Sequence, residues 1–534
     1  FPWQGGSPPL ATSCTCRGAL VVRTRERNRP ASGPMASDAA QLRAAFTKFD
    51  TNLSGAISLE DFVDVMTRTG RDCRPTSREQ AVALFQRFDT NGSGVVNLHQ
   101  FVRAWSSRSC CSPSAGPRVS RSPSLGELEN MYKAPETIWE ELDVRDGLVL
   151  PPVRLLKSSW LIARAEKVKA ASSVAERRAL ALPRRQELEA RHPEAFYTCE
   201  EVKALKRGSD LAGKPLSVLS VSHCWESAEH PDPQGTTLVK LCDAMRHAMT
   251  TAVTNGDYTW EKLPGELAVF FDYGSLYQKS PSGEPRTADE HAAFKAALAR
   301  MQVWYAHQLT TCFFMTTAVD AASMPYLERG WPTFEYHVSM LAKAWTSSGW
   351  PQLFDVGRGV DKLFTRNPPL STASLRELLE TKAFASGADR DLVAFLYQKT
   401  AVTTIQGAAL LKFNSSGWGP EQLMQFIDQW LPHCEKLEAI SFASNPIGPD
   451  GAKMLCDSLR LGHCPLATFL NFFNNQIGDE GLAHVAAFLK EREQDKARIL
   501  PRLNKVRVGK NGTSRDAIEA FKVLCKRYGL KCEA

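Results

Sequence analysis

Two twelve-residue stretches, DTNLSGAISLED (50–61) and DTNGSGVVNLHQ (89–100), repeat one arrangement of donors. Asp50, Asn52 and Ser54 in the first, and Asp89, Asn91 and Ser93 in the second, place oxygen-bearing side chains at alternate positions, followed by Gly55 or Gly94. Hard oxygen donors at that spacing suit a hard divalent cation, and the glycine allows the sharp turn that gathers them. A second group lies further along the chain, where His223, Asp272 and Tyr273 fall at the ends of apolar runs. Ligands bind at the ends of buried strands in α/β sheets, so these three are candidates for holding a small molecule. His223, Cys224 and His230 also invite a zinc reading. Adjacent strand residues point to opposite faces, however, which argues against 223 and 224 sharing one ion.

The elements that would position these groups follow from periodicity. Leu42, Phe46 and Phe49 before the first loop, and Phe62, Val63 and Met66 after it, recur on single helix faces; Leu84, Phe85, Phe88 and Phe101, Val102, Trp105 repeat this around the second. Helix, twelve-residue loop, helix, twice, resembles an EF-hand pair, and the 39-residue offset suits two loops coupled face to face through Ile57 and Val96. The resemblance implies Ca²⁺ ligands at Asp50, Asn52, Ser54, Ala56 (backbone), Ser58 and Asp61, and at Asp89, Asn91, Ser93, Val95 (backbone), Asn97 and Gln100. The pattern wants Glu at position 12; Asp61 is one methylene shorter and Gln100 is neutral. A weak first site, tolerant of Mg²⁺, and a weaker second one are therefore expected.

Between residues 126 and 400 a charged helical lead-in gives way to alternating buried strands and helices. Strands are predicted in LSVLSVSHCW (216–225), LAVFFDYGSLY (267–277) and TTCFFMTT (310–317), with helices at 236–249, 291–307 and 329–345. This alternation predicts an α/β fold with a parallel sheet. The core 216–345 resembles a TIR domain, with matching positions Ser222, Trp225, Asp272, Trp331 and Glu335; Pro332 departs from the small residue or Cys of that pattern. Some TIR domains cleave NAD⁺ with a glutamate at the position of Glu335, and others only pair with further TIR domains. The resemblance thus implies either a catalytic Glu335 stabilising oxocarbenium-like charge as nicotinamide leaves, with His223, Asp272 and Tyr273 at the ligand, or self-association. The plainer expectation is a Glu335–Arg329 ion pair with Trp225 and Trp331 in the core.

Residues 401–534 repeat themselves. ALLKFNSSGWGPEQL, AISFASNPIGPDGAK, FLNFFNNQIGDEGLA and LNKVRVGKNGTSRDA align on Ser416, Asn445, Asn475 and Asn511, spaced 29, 30 and 36. They resemble leucine-rich repeats of the ribonuclease-inhibitor type, each a short strand and a helix. Inward positions would be Leu411 and Phe413, Ile440 and Phe442, Leu470 and Phe472, Val506 and Val508. The asparagines would bond backbone groups where the chain leaves the strand. Ser441, Ala443, Asn471 and Phe473 would line an exposed concave face that takes a protein partner.

The balance of the chain narrows the function classes. Its net charge of +7 is accounted for by the arginines of 1–34 and of the Ser/Pro/Arg tether 106–125, so the remaining modules are neutral and carry no case for nucleic-acid or membrane binding. Runs such as LAVFF and CFFM fall far short of the ~20 residues of a membrane span. Fourteen Cys without a CxxC pair indicate a reducing, cytoplasmic setting. Met35 is expected as the start of the protein, with 1–34 a translated upstream segment rather than a transit peptide. The organisation is then an all-α EF-hand pair (35–105), the tether, a TIR-like α/β domain (126–400) and a repeat arc (401–534). It reads as a calcium-responsive regulatory or scaffold protein rather than an enzyme; the enzyme alternative is an NAD glycohydrolase.

Overall fold

The structure is a computed structural model that describes residues 56–67, 78, 81–82, 85, 95–97 and 131–534, except 146, 206–214, 228, 256–257, 281–282, 318–323, 344–349, 363 and 365. It divides into two units, Phe1–Pro123 and Ser124–Ala534, which are taken separately.

In the first unit β1 (Ala56–Ser58) runs antiparallel to β2 (Val95–Asn97). Ile57 stands opposite Val96, and both are buried, which is the coupling expected of the paired loops. A helix over Leu59–Thr67 follows at once. It buries Phe62, Val63 and Met66, and the Phe62 ring meets Phe85 edge-on at 5.6 Å.

The second unit is built on a five-stranded sheet ordered β3 (Leu156–Lys157), β7 (Ala268–Phe270), β4 (Val218–Ser222), β8 (Thr311–Phe314), β9 (Leu353–Asp355). A short antiparallel pair, β5 (Thr254–Asn255) and β6 (Tyr258–Thr259), lies between β4 and β7 in the chain. The four strands from β7 to β9 are parallel, and β3 closes the edge antiparallel to β7. Taken in chain order, the parallel strands are arranged 2-1-3-4, the doubly wound arrangement whose ligand crevice lies beyond the carboxyl ends of strands 1 and 3. The edge strand β3 comes from the lead-in, where residue periodicity indicated only helix.

Strand alternation decides what each side chain can reach. Leu219, Val221, Val269, Phe271 and Phe313 face one layer, with Leu161, Ala165 and Val168 of the helix Ser158–Ala170 and Leu238, Leu241 and Met245 of the helix Thr236–Thr250. Val218, Ala268, Phe270, Cys312 and Phe314 face the other, with Trp304, Phe334 and Val338. Both faces are covered, which is why these strands read as unbroken apolar runs. The helix expected over 291–307 is two helices, Ala288–Leu298 and Gln302–Ala306; the break turns Trp304 and Tyr305 beneath Phe270.

The repeats form a second parallel sheet in simple chain order, β10 (Leu410–Lys412), β11 (Ala439–Ser441), β12 (Phe469–Asn471), β13 (Lys505–Arg507) and β14 (Lys531–Glu533). Leu411, Ile440, Leu470 and Val506 stand in register and are buried, as are Phe413, Phe442, Phe472 and Val508. The asparagines form a ladder along the turns. Asn445 accepts from the backbone N–H of Ser416 (2.9 Å) and Trp418 (3.1 Å) and donates to the carbonyls of Phe413 and Phe442; Asn475 accepts from Asn445 N (3.0 Å), and Asn511 from Asn475 N (2.7 Å). One expectation fails. Ser441, Ala443 and Asn471 are buried, because short side chains on a parallel ladder are shaded by those of the flanking strands. Asn471 donates to Ser441 Oγ (2.9 Å), which donates in turn to Asn414 (2.7 Å).

The first repeat docks on the α/β body through indole donors. Trp418 Nε1 bonds the carbonyl of Arg366 (2.6 Å) and Trp430 Nε1 that of Pro369 (2.8 Å). One continuous apolar core runs from the sheet into the repeats.

Candidate functional site

The last residues of β4 diverge by strand period. Ser222 shares the face of Val218 and points to the helix Gly330–Ala342; His223 turns to the opposite layer and stacks on Phe271 at 4.3 Å. That helix begins at Gly330, where a Cβ would strike the ring of Phe384. Pro332 falls in its first turn, where a missing N–H costs nothing. Glu335, one turn further, is brought against Ser222.

Ser222 Oγ donates to Glu335 Oε2, and its lone pair faces the hydroxyl of Tyr326. The single serine hydrogen is committed to the carboxylate, so Tyr326 donates to Ser222 and a chain Tyr326–Ser222–Glu335 results. Glu335 is only 8% exposed. Burial pushes its carboxyl up to about 7, helped by the Asp272 charge and opposed chiefly by the Ser222 hydrogen bond.

On the other face Asp272, at the first turn after β7, gathers three donors: His223 Nε2 (2.8 Å), Trp225 Nε1 (2.8 Å) and its neighbour's N–H at Tyr273 (2.6 Å). Burial alone would raise Asp272, but the His223 charge and these bonds hold it below the usual carboxylate range. Burial alone would also lower His223. The Asp272 carboxylate outweighs it, and His223 titrates above the ordinary imidazole. Asp272→Asn is therefore expected to move the His223 midpoint down, followed by NMR titration of the imidazole; an unmoved midpoint would show that Asp272 does not govern the histidine. Cys224 next to it is pushed up to about 11 by burial, so its thiol stays protonated and is a poor nucleophile.

Above this network, between the ends of β4 and β8, lies a recess of about 490 Å³, counting the part open to solvent. His223, Trp225, Thr237, Lys240, Tyr326 and Arg329 are among its walls. Gly235 adopts a left-handed φ of 72° and lies so close to Val168 that a Cβ would come within 2.8 Å. The loop is tied to the following helix by Asp232, which accepts from Leu238 N at 2.8 Å. Arg329 donates to the carbonyl of Trp225 (2.5 Å) and not to Glu335, so the expected ion pair is replaced by the serine contact. Glu335 and Asp272 lie behind the walls rather than on them, and Tyr273 is buried against Trp225 and His230. Of His223, Asp272, Tyr273 and Glu335, His223 alone lines the recess; Tyr326 and Ser222 connect it to Glu335. Tyr326 and Lys240 carry no signal in the sequence, because one follows a stretch of sequence without period and the other sits on an ordinary helix face.

In the first unit, Ser58 Oγ donates to Asp61 Oδ2 (2.7 Å) and accepts from Asp61 N (3.1 Å), so loop positions 9 and 12 are brought together. Ala56, Val95 and Asn97 lie in the paired strands; Asp50, Asn52, Ser54, Asp89, Asn91, Ser93 and Gln100 lie outside the described residues. The donors placed are oxygens at the end of a paired strand, which fits a hard cation.

A family model for an EF-hand domain pair matches residues 39–106, and a leucine-rich repeat model matches 433–456 and 468–486. The chain thus carries an EF-hand pair, which implies calcium binding, and leucine-rich repeats, which as a class mediate protein–protein interaction. No curated protein matches the chain. Among the described residues no helix is long and apolar enough to cross a membrane.

Proposed function

We propose that this chain is a cytoplasmic, calcium-responsive regulatory or scaffold protein that recruits a protein partner through its repeats. The observation that carries the reading is the union in one chain of an EF-hand pair, its loops joined at Ile57 and Val96, with a leucine-rich arc. Calorimetric titration of the full chain with Ca²⁺ is expected to give weak binding, with Kd on the order of 10⁻⁴–10⁻³ M, because position 12 is Asp61 or Gln100 rather than Glu. Mg²⁺ competes at the first loop only. Asp50→Ala abolishes the stronger phase, and a chain that releases no heat at millimolar calcium would defeat the reading.

A second reading is favoured by one specific arrangement. The central domain is TIR-like, and it cleaves NAD⁺ or associates with its own kind at the sheet. The support is the meeting of Ser222, His223, Asp272 and Glu335 at the switch point of a 2-1-3-4 sheet, where shifted carboxyl and imidazole groups gather beside a recess. A carboxylate in apolar surroundings stabilises a positive sugar ring strongly, because little water competes for it. Tyr326 and Ser222 would hold the carboxylate, and His223 would contact the ligand.

A further inference from the structure

We propose that the β12–β14 part of the repeat strand face docks an acidic segment of a protein partner. This rests on the reading of the repeats as a recruiting arc and assigns its partner a chemistry. The middle of the face offers little: Ser441 and Asn471 are covered, and their polar atoms are spent on each other and on Asn414. Recognition moves toward the carboxyl-terminal strands, where the outward positions hold Phe469, Phe473, Lys505, Arg507 and Lys531, with Lys510 just beyond β13.

The cations are organised. Lys505 Nζ stands 4.7 Å over the Phe469 ring, and the Arg507 guanidinium 4.1 Å over Phe473, with Lys510 5.9 Å from the same ring. Glu533 is the carboxylate on the outward positions of these strands, shared by Lys505 (2.7 Å), Lys531 (3.6 Å) and Arg507 (3.7 Å). Three cations around Glu533, with Lys510 beside Phe473, leave a positive surface. A guanidinium held over a ring still has N–H groups to offer a carboxylate. The ring contacts hold these long side chains in place before a partner arrives, which reduces the ordering cost of binding.

The same cations argue against nucleic acid. Bases bind such surfaces by stacking on free aromatic faces, and here cations already stand over the Phe469 and Phe473 rings. Carboxylates spaced along a polypeptide, alternating with apolar side chains, match the alternation of cation and ring.

The test uses the full chain and three fluorescein-labelled peptides of equal length, alternating Leu with Glu, Ser or Lys, read by fluorescence anisotropy, together with an oligo-dT. The Glu peptide is expected to bind best, with affinity falling as salt rises. The double variant Lys505→Glu/Arg507→Glu is expected to weaken it at least tenfold, while Lys522→Glu on the outer helix leaves it unchanged. Circular dichroism checks that the variants are folded, and Lys505→Gln/Arg507→Gln, which only neutralises, is expected to fall between. Binding that survives the reversal overturns the proposal, and so does oligo-dT binding that the reversal removes. If the Ser or Lys peptide binds best and Phe473→Ala abolishes it, the acidic preference fails and the recruiting arc stands. If no peptide binds, both fall.

Discussion

Asn445→Ala is expected to lower the unfolding free energy of the Ser124–Ala534 unit by about 4 kcal/mol, far more than an ordinary surface substitution. The side chain satisfies four backbone groups at once: the N–H of Ser416 and Trp418, and the carbonyls of Phe413 and Phe442. Asn445 is buried, so alanine leaves those groups without water, at about 1–3 kcal/mol for each that finds no substitute. Asn475→Ala supplies the contrast. Its Oδ1 accepts from Asn445 N, but its Nδ2 has no hydrogen-bond partner among the described residues, so a loss of about 1–2 kcal/mol is expected. Urea denaturation of both variants checks the order, and an equal or reversed pair would mean that the ladder does not carry the load its geometry implies. Since the first repeat shares a core with the α/β body, the loss should register on Trp304 and Trp418 in a single transition.

Glu335→Gln is expected to have two effects of opposite sign. A buried carboxyl raised to about 7 binds its proton more tightly in the folded chain than in the unfolded one. Its favourable contribution is complete below the unfolded value of 4.5 and is lost as pH rises through about 7, by roughly 3 kcal/mol in all. Glutamine cannot ionise. The variant is therefore expected to outlast the wild type at pH 8 and to match it near pH 5, as read by thermal melts across that range. Parallel melting curves for the two proteins would show that this carboxyl is not titrating there. The second effect concerns catalysis. If the central domain cleaves NAD⁺, nicotinamide release from the full chain rises through pH about 7 as Glu335 ionises, and Glu335→Gln reduces it by about 10²–10⁴-fold. Release that is unchanged in the variant removes the enzyme reading while leaving the stability result intact. A stabilised but inactive variant is the signature of a group kept at an energetic cost for its chemistry.

The two halves of the candidate site differed in how far the residues announced them. Ser222, Trp225, Asp272 and Glu335 were each legible as positions, since three terminate buried runs and the fourth follows a strand with helical periodicity. Their partners were not. Arg329 was the nearest opposite charge to Glu335 in the chain, yet it turns to the Trp225 carbonyl, and Ser222, more than a hundred residues away, takes the carboxylate. Tyr326 follows a stretch without period, and nothing local marks it as the third member of the chain. The repeat arc behaved otherwise. The buried positions and the asparagine ladder were readable because each repeat solves the same local problem in the same way. The shading of Ser441 and Asn471 was not, because it depends on contacts between side chains of neighbouring strands.

What the sequence determined by itself is therefore whatever is written at short range: two oxygen-bearing loops with Ile57 and Val96 at equivalent places, strands that read as unbroken apolar runs, and repeats whose inward residues and asparagines return every thirty or so residues. The tertiary structure decided the rest. The order 2-1-3-4 places the ends of β4 and β8 side by side, strand alternation sends Ser222 to Glu335 and His223 to Asp272, and burial then sets the protonation of each. The reason is physical: periodicity is a property of one segment and its solvent, whereas a hydrogen bond across a hundred residues and the loss of water around a carboxyl exist only once the layers have closed over them.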